Sequence, residues 1–218
     1  MRKILLTLLL ALPLMAAAQT TAPYGIYVSQ NQGTVDWPAV HEESDVDFVY
    51  VQVTSGATIT DSRCGTNLSM AAKSGFPVGA VHRYDRHYNA EGQLANFQAA
   101  VKGYDMKLAP VVYVEPDNPY DLKIKRLDML LQLMEQAYGV KPLIMCTAET
   151  YLKYFSLERY ASFHVIIISN GLKFPSTRYS VWQYTDKEQV PGFVNYVPGL
   201  KLHPTYKIDN LKMSAAVR

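Results

Sequence analysis

The chain has 218 residues and a formal charge of +2, too little positive charge to attract nucleic acid or an anionic membrane surface. Its composition, 49% hydrophobic and 18% charged, is that of an ordinary globular protein. The length suits one domain with a substantial core. We therefore predict one folded domain and no nucleic-acid partner.

Residues 1–18 have the layout of a secretory signal peptide. Arg2 and Lys3 precede an apolar run over residues 4–15, and the small residues 16–18 follow it. The run is too short for a comfortable membrane span, and no cysteine follows it to carry a lipid. We expect cleavage near Ala18, no membrane anchor, and a secreted or periplasmic domain over residues 19–218. Without this leader the chain has 19 basic and 19 acidic residues, and so no net charge.

Apolar, β-branched runs alternate with helical patterns along the chain. The helical patterns lie at 65–75, 89–104 and 121–140, and the last has a leucine stripe typical of core packing. The segment after Trp182 contains several prolines and glycines, and we expect it to wrap around the domain. The runs predicted to be strands are 24–29, 46–55, 76–84, 108–116, 141–148, 163–170 and 179–185.

Strands that alternate with helices indicate parallel βαβ units, and their number favours a closed β/α barrel over an open doubly wound sheet, the rival architecture. No glycine-rich phosphate-binding loop follows a strand, so no nucleotide cofactor is expected. Two cysteines, Cys64 and Cys146, make no zinc motif. In an exported protein they could form a disulfide or remain buried thiols. We predict neither a metal nor a cofactor.

In a parallel barrel, ligands meet the C-terminal ends of the strands. The residues predicted there are rich in aromatic rings and hydrogen-bonding groups, which suit sugars because rings pack on sugar C–H faces while hydroxyls need polar partners. His82 could equally be a buried core histidine, and the strand around Trp182 could pack under the C-terminal segment. The candidates are Tyr27, His82, Tyr84, Tyr113, Glu115, Trp182, Gln183 and Tyr184.

A set of segments then resembles, in order and spacing, the family 25 glycoside hydrolases. These are lysozymes that cleave between N-acetylmuramic acid and N-acetylglucosamine in peptidoglycan. The resemblance implies a modified single-domain β/α barrel with a sugar groove at the strand C-termini, and peptidoglycan or a related glycan as partner. It is carried by segments that include "GIYVSQNQGTVDW" (25–37), "GFPVGAVHRY" (75–84), "APVVYVE" (109–115) and "VWQYTDKEQVPGF" (181–193).

The chain departs from the family pattern at the acids. The family usually has an aspartate where Tyr27 stands, and D-x-E where Tyr113 and Glu115 stand. Glu115 is therefore the candidate general acid. Asp117 is the nearest acid in sequence and a candidate ligand contact, although it follows a proline in a turn. The family's C-terminal acid aligns either with Pro198 or, after an insertion, with Asp209.

Three functions remain open at this point. Glycoside hydrolysis usually needs two carboxyl groups, and a tyrosine, with a pKa near 10, is no anionic base at neutral pH. The preferred interpretation is a glycan-binding, lysozyme-like protein with weak or no muramidase activity. The alternatives are an active muramidase that uses Glu115 as general acid, and a scaffold or protein-interaction module.

Overall fold

The computed structural model describes residues 22–115, 122–171 and 177–213. The proposed signal peptide and Asp117 therefore lie outside the described residues. Nine strands form one sheet. They are β1 (Tyr24–Val28), β2 (Phe48–Ser55), β3 (Ile59–Thr60), β4 (Val78–Arg83), β5 (Val111–Tyr113), β6 (Leu143–Thr147), β7 (Val165–Ile168), β8 (Val181–Glu188) and β9 (Val197–Leu202).

Eight of these strands close into a barrel. Seven strands pair in parallel, each with the next, in the order β1, β2, β4, β5, β6, β7 and β8. β9 is antiparallel to both β8 and β1 and closes the ring between them. β3 lies outside the ring as an antiparallel extension of β2. The predicted β/α barrel is confirmed, and it is a mixed barrel.

Helices pack around the outside of the strands. They are α1 (Trp37–Glu43), α2 (Cys64–Lys73), α3 (Ala90–Val101), α4 (Ile124–Tyr138) and α5 (Ala148–Thr150), which continues as a π-helical turn over Tyr151–Phe155. The Asn89 side chain caps α3 by accepting a hydrogen bond from the backbone of Gly92 at 2.9 Å. Gly139 ends α4 with a φ of 67°, a conformation that glycine adopts easily. Short 3-10 turns occupy Gln30–Gln32, Glu158–Tyr160 and Ile208–Leu211.

Large rings on β2 fill the barrel interior because the strands on either side supply glycines. A side chain at Gly25 on β1 would meet the ring of Phe48, and one at Gly79 on β4 would meet the ring of Tyr50. Both rings are almost fully buried. The rest of the interior is aliphatic, with Val81, Val111, Leu143, Met145, Ile166, Val181 and Leu200. The barrel is thus a packed core, and a ligand can reach only its ends.

The N-terminal end of the barrel is closed by the last described segment of the chain. Leu211 is fully buried in the interior cluster with Leu108. The backbone N–H of Ala109, just before β5, donates to the carbonyl of Leu211 at 2.8 Å. This closure leaves the C-terminal ends of the strands as the open end.

Four helices and strands of the described residues were not predicted from the sequence: α1, β3, α5 and β9. The region after Trp182 was expected to be irregular, but it contains β9. Pro198 and Gly199 lie inside β9, and a side chain at Gly199 would meet the ring of Tyr184 at 2.9 Å. This glycine is a packing requirement within a strand and not a turn signal.

Cys64 and Cys146 are separate buried thiols. They lie in α2 and β6, so the disulfide alternative is not realised in the structure. Within the described part of the chain, no helix combines the length and apolar character needed to cross a bilayer.

Candidate functional site

Five inward-facing side chains meet at the C-terminal end of β1, β2, β4 and β5. The Tyr27 hydroxyl donates a hydrogen bond to Gln52 Oε1 at 2.5 Å. Arg83 pairs with Glu115 through its Nη2 atom, and its guanidinium carbon lies 5.8 Å from the centre of the Tyr113 ring. The i, i+2 alternation of each strand places these residues on the interior face, above the apolar core. This polar layer is the floor of the candidate site.

The Arg83–Glu115 ion pair dominates the electrostatics of this layer. The two side chains are 33% and 27% exposed, so water screens the pair only in part. Burial lowers the pKa of the Arg83 guanidinium, but the hydrogen bond and negative charge of Glu115 outweigh it and raise that pKa above its usual value. Burial raises the pKa of the Tyr27 hydroxyl, because it disfavours the charged phenolate. This phenol is therefore a neutral hydrogen-bond donor at physiological pH.

A cleft of about 230 Å³ opens beside Glu115. Its wall is the loop after β4, which the buried side chain of Gln93 holds in place. The Gln93 amide nitrogen donates to the carbonyls of Asp85 and Tyr88 at 3.0 and 3.1 Å, and its oxygen accepts from the backbone N–H of Asp85 at 2.8 Å. The lining residues are Ser55, Tyr84, Asp85, Arg86, His87, Glu115 and Leu122.

Asp61 ties the opposite side of the site together. It is almost fully buried, and its carboxylate accepts backbone hydrogen bonds from Gln30 at 2.8 Å and Arg63 at 2.9 Å. These bonds join the turn after β1 to the loop before α2. Both carboxylate oxygens of Asp61 therefore hold loops in place, one the turn after β1 and the other the loop before α2.

The structure brings some of the predicted site residues together. Tyr27, Tyr113 and Glu115 share the polar layer. Tyr84 is among the residues that line the cleft, although it is mostly buried, and its hydroxyl donates to the carbonyl of Leu122 at 3.0 Å. Gln183 is buried on the same face of β8 as the interior residue Val181.

Other predicted residues face away from the cleft. His82 is fully buried between the barrel and α3, with hydrogen bonds to Thr54 at 2.8 Å and Gln93 at 3.1 Å. The Trp182 ring packs in the outer core and donates to the carbonyl of Ser169 at 2.8 Å. Tyr184 also packs on the outer core, and its hydroxyl donates to Glu188 at 2.5 Å. Neighbouring positions on a strand point to opposite faces, which places these three outside the barrel interior.

Asp209 is not brought near Glu115. It lies in the 3-10 turn Ile208–Leu211 at the closed, N-terminal end of the barrel, where its carboxylate pairs with Lys212 at 2.6 Å. This pairing lowers the pKa of Asp209. Pro198, the other position considered, lies within β9.

Two residues of the polar layer were missed from the sequence. Arg83 follows Gly79 and Val81 on one face of β4, and Gln52 follows Phe48 and Tyr50 on one face of β2. The contact that fixes the inward face of β4 is the one between Gly79 and the ring of Tyr50, which only the structure shows.

Among residues 22–115, 122–171 and 177–213, no group of three or more His, Cys, Asp and Glu side chains could hold a metal ion.

The comparison with known proteins agrees with this geometry. The family model "Glycosyl hydrolases family 25" matches residues 26–193, which is well over half of the chain. The chain belongs to glycosyl hydrolase family 25. The matched model ends just before β9, so it includes all five residues of the polar layer.

Two curated relatives are lysozymes. The chain is 32% identical to the autolytic lysozyme of Clostridium acetobutylicum over 91 residues, which are 42% of this chain and 28% of the relative. It is 34% identical to lysozyme M1 of Streptomyces globisporus over 65 residues, 30% of this chain and 22% of the relative. The aligned region thus spans about a quarter of each of these relatives.

Solved structures share the fold at low sequence identity. A lysozyme from Streptomyces coelicolor superposes with a TM-score of 0.78 at 21% identity, over 88% of this chain and 96% of that chain. A family 25 glycosyl hydrolase from Bacillus anthracis gives 0.78 at 24% identity, over 89% and 95%. A family 25 lysozyme from Aspergillus fumigatus gives 0.75 at 18% identity, over 89% and 100%. These likenesses support the barrel architecture described above.

Proposed function

We propose that this protein binds peptidoglycan or a related glycan in the cleft beside Glu115 and has little or no muramidase turnover. The observation that carries the proposal is the set of side chains around Glu115. Two tyrosines and an arginine surround it in the polar layer, where hydrolysis of a glycosidic bond would need a second carboxyl group.

The chemistry of this layer opposes catalysis in two ways. First, the two carboxyl groups of a glycoside hydrolase stand roughly 5–9.5 Å apart, and here Tyr27 and Tyr113 occupy the neighbouring inward positions. A neutral phenol can neither stabilise an oxocarbenium ion by charge nor activate water as a base. Second, Glu115 is held by the Arg83 guanidinium, whose N–H groups bond to the carboxyl oxygen that a leaving group would have to approach. Loss of a main catalytic group lowers rates by several powers of ten.

The same layer is well suited to binding. The cleft is open, and its lining includes Tyr84, Ser55 and charged residues on the loop after β4. Aromatic faces with converging polar groups are the usual means of holding a sugar. An open cleft supports glycan binding over the scaffold alternative, which a cleft filled with side chains would favour. Its lining differs from the expected one, because Trp182 and Tyr184 pack on the outer core.

We also propose that residues 1–18 direct export. Their basic start, apolar centre and small-residue end support this, and a cell-wall glycan would be met outside the cytoplasm. N-terminal sequencing of the protein recovered from the producing cells would test it, with a mature start near Gln19 as the expected result.

The decisive experiment measures turnover and binding together. Purified protein is incubated with insoluble peptidoglycan, and both the released reducing ends and the protein retained on the pellet are measured. We expect retention without release. Release that disappears in Glu115→Gln would overturn the proposal and establish the active muramidase. If the protein is not retained on the pellet and releases no reducing ends, the scaffold alternative is supported.

Restoring the missing acids tests the reason for the proposed inactivity. Tyr27→Asp with Tyr113→Asp returns carboxyl groups to the polar layer, and Arg83→Met in that background frees Glu115 from its ion pair. We expect hydrolysis to rise in the triple variant above that in the double variant. If every folded variant stays inert, features beyond these three residues prevent hydrolysis.

A further inference from the structure

A second depression, of about 530 Å³, lies next to the cleft between the beginnings of α3 and α4. We call it the α3–α4 pocket, and it is lined by residues 89–91, 123–126 and Met129. Leu122 lines the cleft and Lys123, the next residue along the chain, lines the pocket. The Arg126 guanidinium in the pocket also donates to the backbone carbonyl of Arg86 in the cleft wall. The cleft and the pocket are therefore separate depressions with a common wall.

The floor of the α3–α4 pocket is apolar. Ala90 is buried, Ile124 is partly buried against the core, and Met129 is 44% exposed. The unbranched thioether of methionine adapts its shape to what packs on it, and methionine is over-represented at binding surfaces for this reason. The pocket can thus bury apolar groups of a ligand.

The rim of the α3–α4 pocket is positively charged. Three cations, Lys123, Lys125 and Arg126, stand against one carboxylate, that of Glu91, which gives a local charge of +2. Lys125 is exposed and forms no ion pair within the described residues. Arg126 bonds to a neutral carbonyl, which does not neutralise its charge. A ligand that fits this pocket is therefore acidic and partly apolar.

This combination of charge and floor selects among acidic ligands. An inorganic phosphate or sulfate would contact the cations and leave the apolar floor uncovered. Nucleic acid and anionic membranes need a basic surface wider than three side chains. A short peptide with several carboxylates and small apolar side chains uses both parts of the pocket. Its carboxylates would pair with Lys125 and Arg126, and its apolar groups would pack on Met129.

We propose that the α3–α4 pocket binds the short acidic peptide carried by a peptidoglycan strand, while the sugar that bears this peptide occupies the cleft. The inference rests on the proposed function and names the part of the ligand, other than sugar, that the protein recognises. An extended peptide advances by about 3.3–3.6 Å per residue, so about three residues cover roughly 10 Å. Because Leu122 and Lys123 on the two sides of the wall are consecutive residues, that reach spans the wall.

The test is isothermal titration with glycan strands of eight sugars that carry their peptides, and with the same strands after an amidase has removed the peptides. The stripped strands keep the sugars and the free lactyl carboxylates, so the difference in affinity isolates the peptide. The free peptide is a third ligand.

Three variants are compared with wild type. Lys125→Glu reverses a charge on the rim of the pocket. Lys102→Glu is the matched control, because Lys102 is an exposed lysine at the opposite end of α3 from the pocket. Glu91→Gln removes a carboxylate that would repel the peptide. Thermal unfolding of each variant verifies that it is folded.

We expect wild type to bind the peptide-bearing strand about three- to tenfold more tightly than the stripped strand, the range of one or two partly exposed ion pairs. Lys125→Glu should reduce this ratio below about twofold and Glu91→Gln should increase it, whereas Lys102→Glu should leave it unchanged. The ratio should also shrink in 1 M salt, which screens exposed charges.

Equal affinity of wild type for the two strands, or the same ratio in wild type and Lys125→Glu, would overturn the peptide site and leave the cleft proposal intact. Free peptide that binds as tightly as the peptide-bearing strand would overturn the link to the glycan and indicate an acidic segment of another protein as the occupant. If wild type binds neither strand, the proposed function fails and this inference fails with it.

Discussion

His82 provides a quantitative test of the site geometry. The sequence suggested it as a ligand contact, whereas the structure buries it beside Gln93, which supports the cleft wall. Its Nε2 atom faces the oxygen of the Gln93 amide, whose nitrogen is already committed to the carbonyls of Asp85 and Tyr88. An amide oxygen only accepts, so Nε2 carries the proton and Nδ1 accepts from the Thr54 hydroxyl. Burial lowers the pKa of His82 from 6.5 to about 4.

This shift makes folding stability depend on pH in a definite direction. In the unfolded chain His82 takes up a proton as the pH falls below 6.5, whereas in the folded protein it stays neutral until about pH 4. The unfolded state then binds more protons, so acid favours it. The contribution of His82 is fully present above pH 6.5 and is lost as the pH falls toward 4. The loss at pH 4 is about 3 kcal/mol, since each pKa unit corresponds to about 1.4 kcal/mol.

The assay is urea unfolding of wild type and His82→Gln at pH 7.5, 6, 5 and 4, followed by circular dichroism. Because other groups also titrate, the informative quantity is the difference between the two proteins. We expect the free energy of unfolding of wild type, relative to the variant, to fall by about 3 kcal/mol from pH 7.5 to pH 4. His41→Gln, which removes an exposed histidine, controls for the loss of an imidazole. Parallel curves for wild type and His82→Gln would refute the assignment of a neutral, buried His82.

Three further predictions concern the barrel and the ion pair. Gly79→Ala forces a methyl group against the ring of Tyr50, and overpacking of about 1–3 kcal/mol should lower the melting temperature by about 2–10 °C in a thermal scan. Leu211→Ala opens the closed end of the barrel and should destabilise by about 2–4 kcal/mol in urea; a loss below 0.5 kcal/mol would mean that this segment does not seal the core. Glu115→Gln leaves the partly buried Arg83 without its counter-charge, and a double-mutant cycle with Arg83→Met should give a coupling of about 1 kcal/mol that shrinks in 1 M salt. A coupling of zero at low salt would contradict the ion pair.

The barrel could be predicted from the sequence because alternating strands and helices allow few other arrangements. The inward direction of Tyr27, Tyr113 and Glu115 followed from the family pattern. On β4 the direction could not be read from polarity, because a strand buried on both faces is apolar throughout and has no visible alternation. His82 was therefore considered for the groove while Arg83, which faces it, was not.

The rest of the site depends on contacts between residues far apart in sequence. The ion pair between Arg83 and Glu115 requires β4 and β5 to be neighbours in register, which no local pattern encodes. β9 was missed because Pro198 and Gly199 usually mark turns, whereas here the ring of Tyr184 needs the space over Gly199. The usual association of proline and glycine with turns therefore failed where the packing of a distant ring requires a glycine in a strand.

The pairing of β9 with β1 brings together two segments near opposite ends of the described chain, with Tyr24 opposite Lys201. During synthesis, β1 can pair with β2 early, but its other edge has no partner until β9 has left the ribosome. Until then the edges of β1 and β8 present unpaired N–H and C=O groups, and closing so long a loop makes the final step slow. Ring closure therefore comes last, and a chain that is shortened before β9 should self-associate through those edges instead of folding to a smaller barrel.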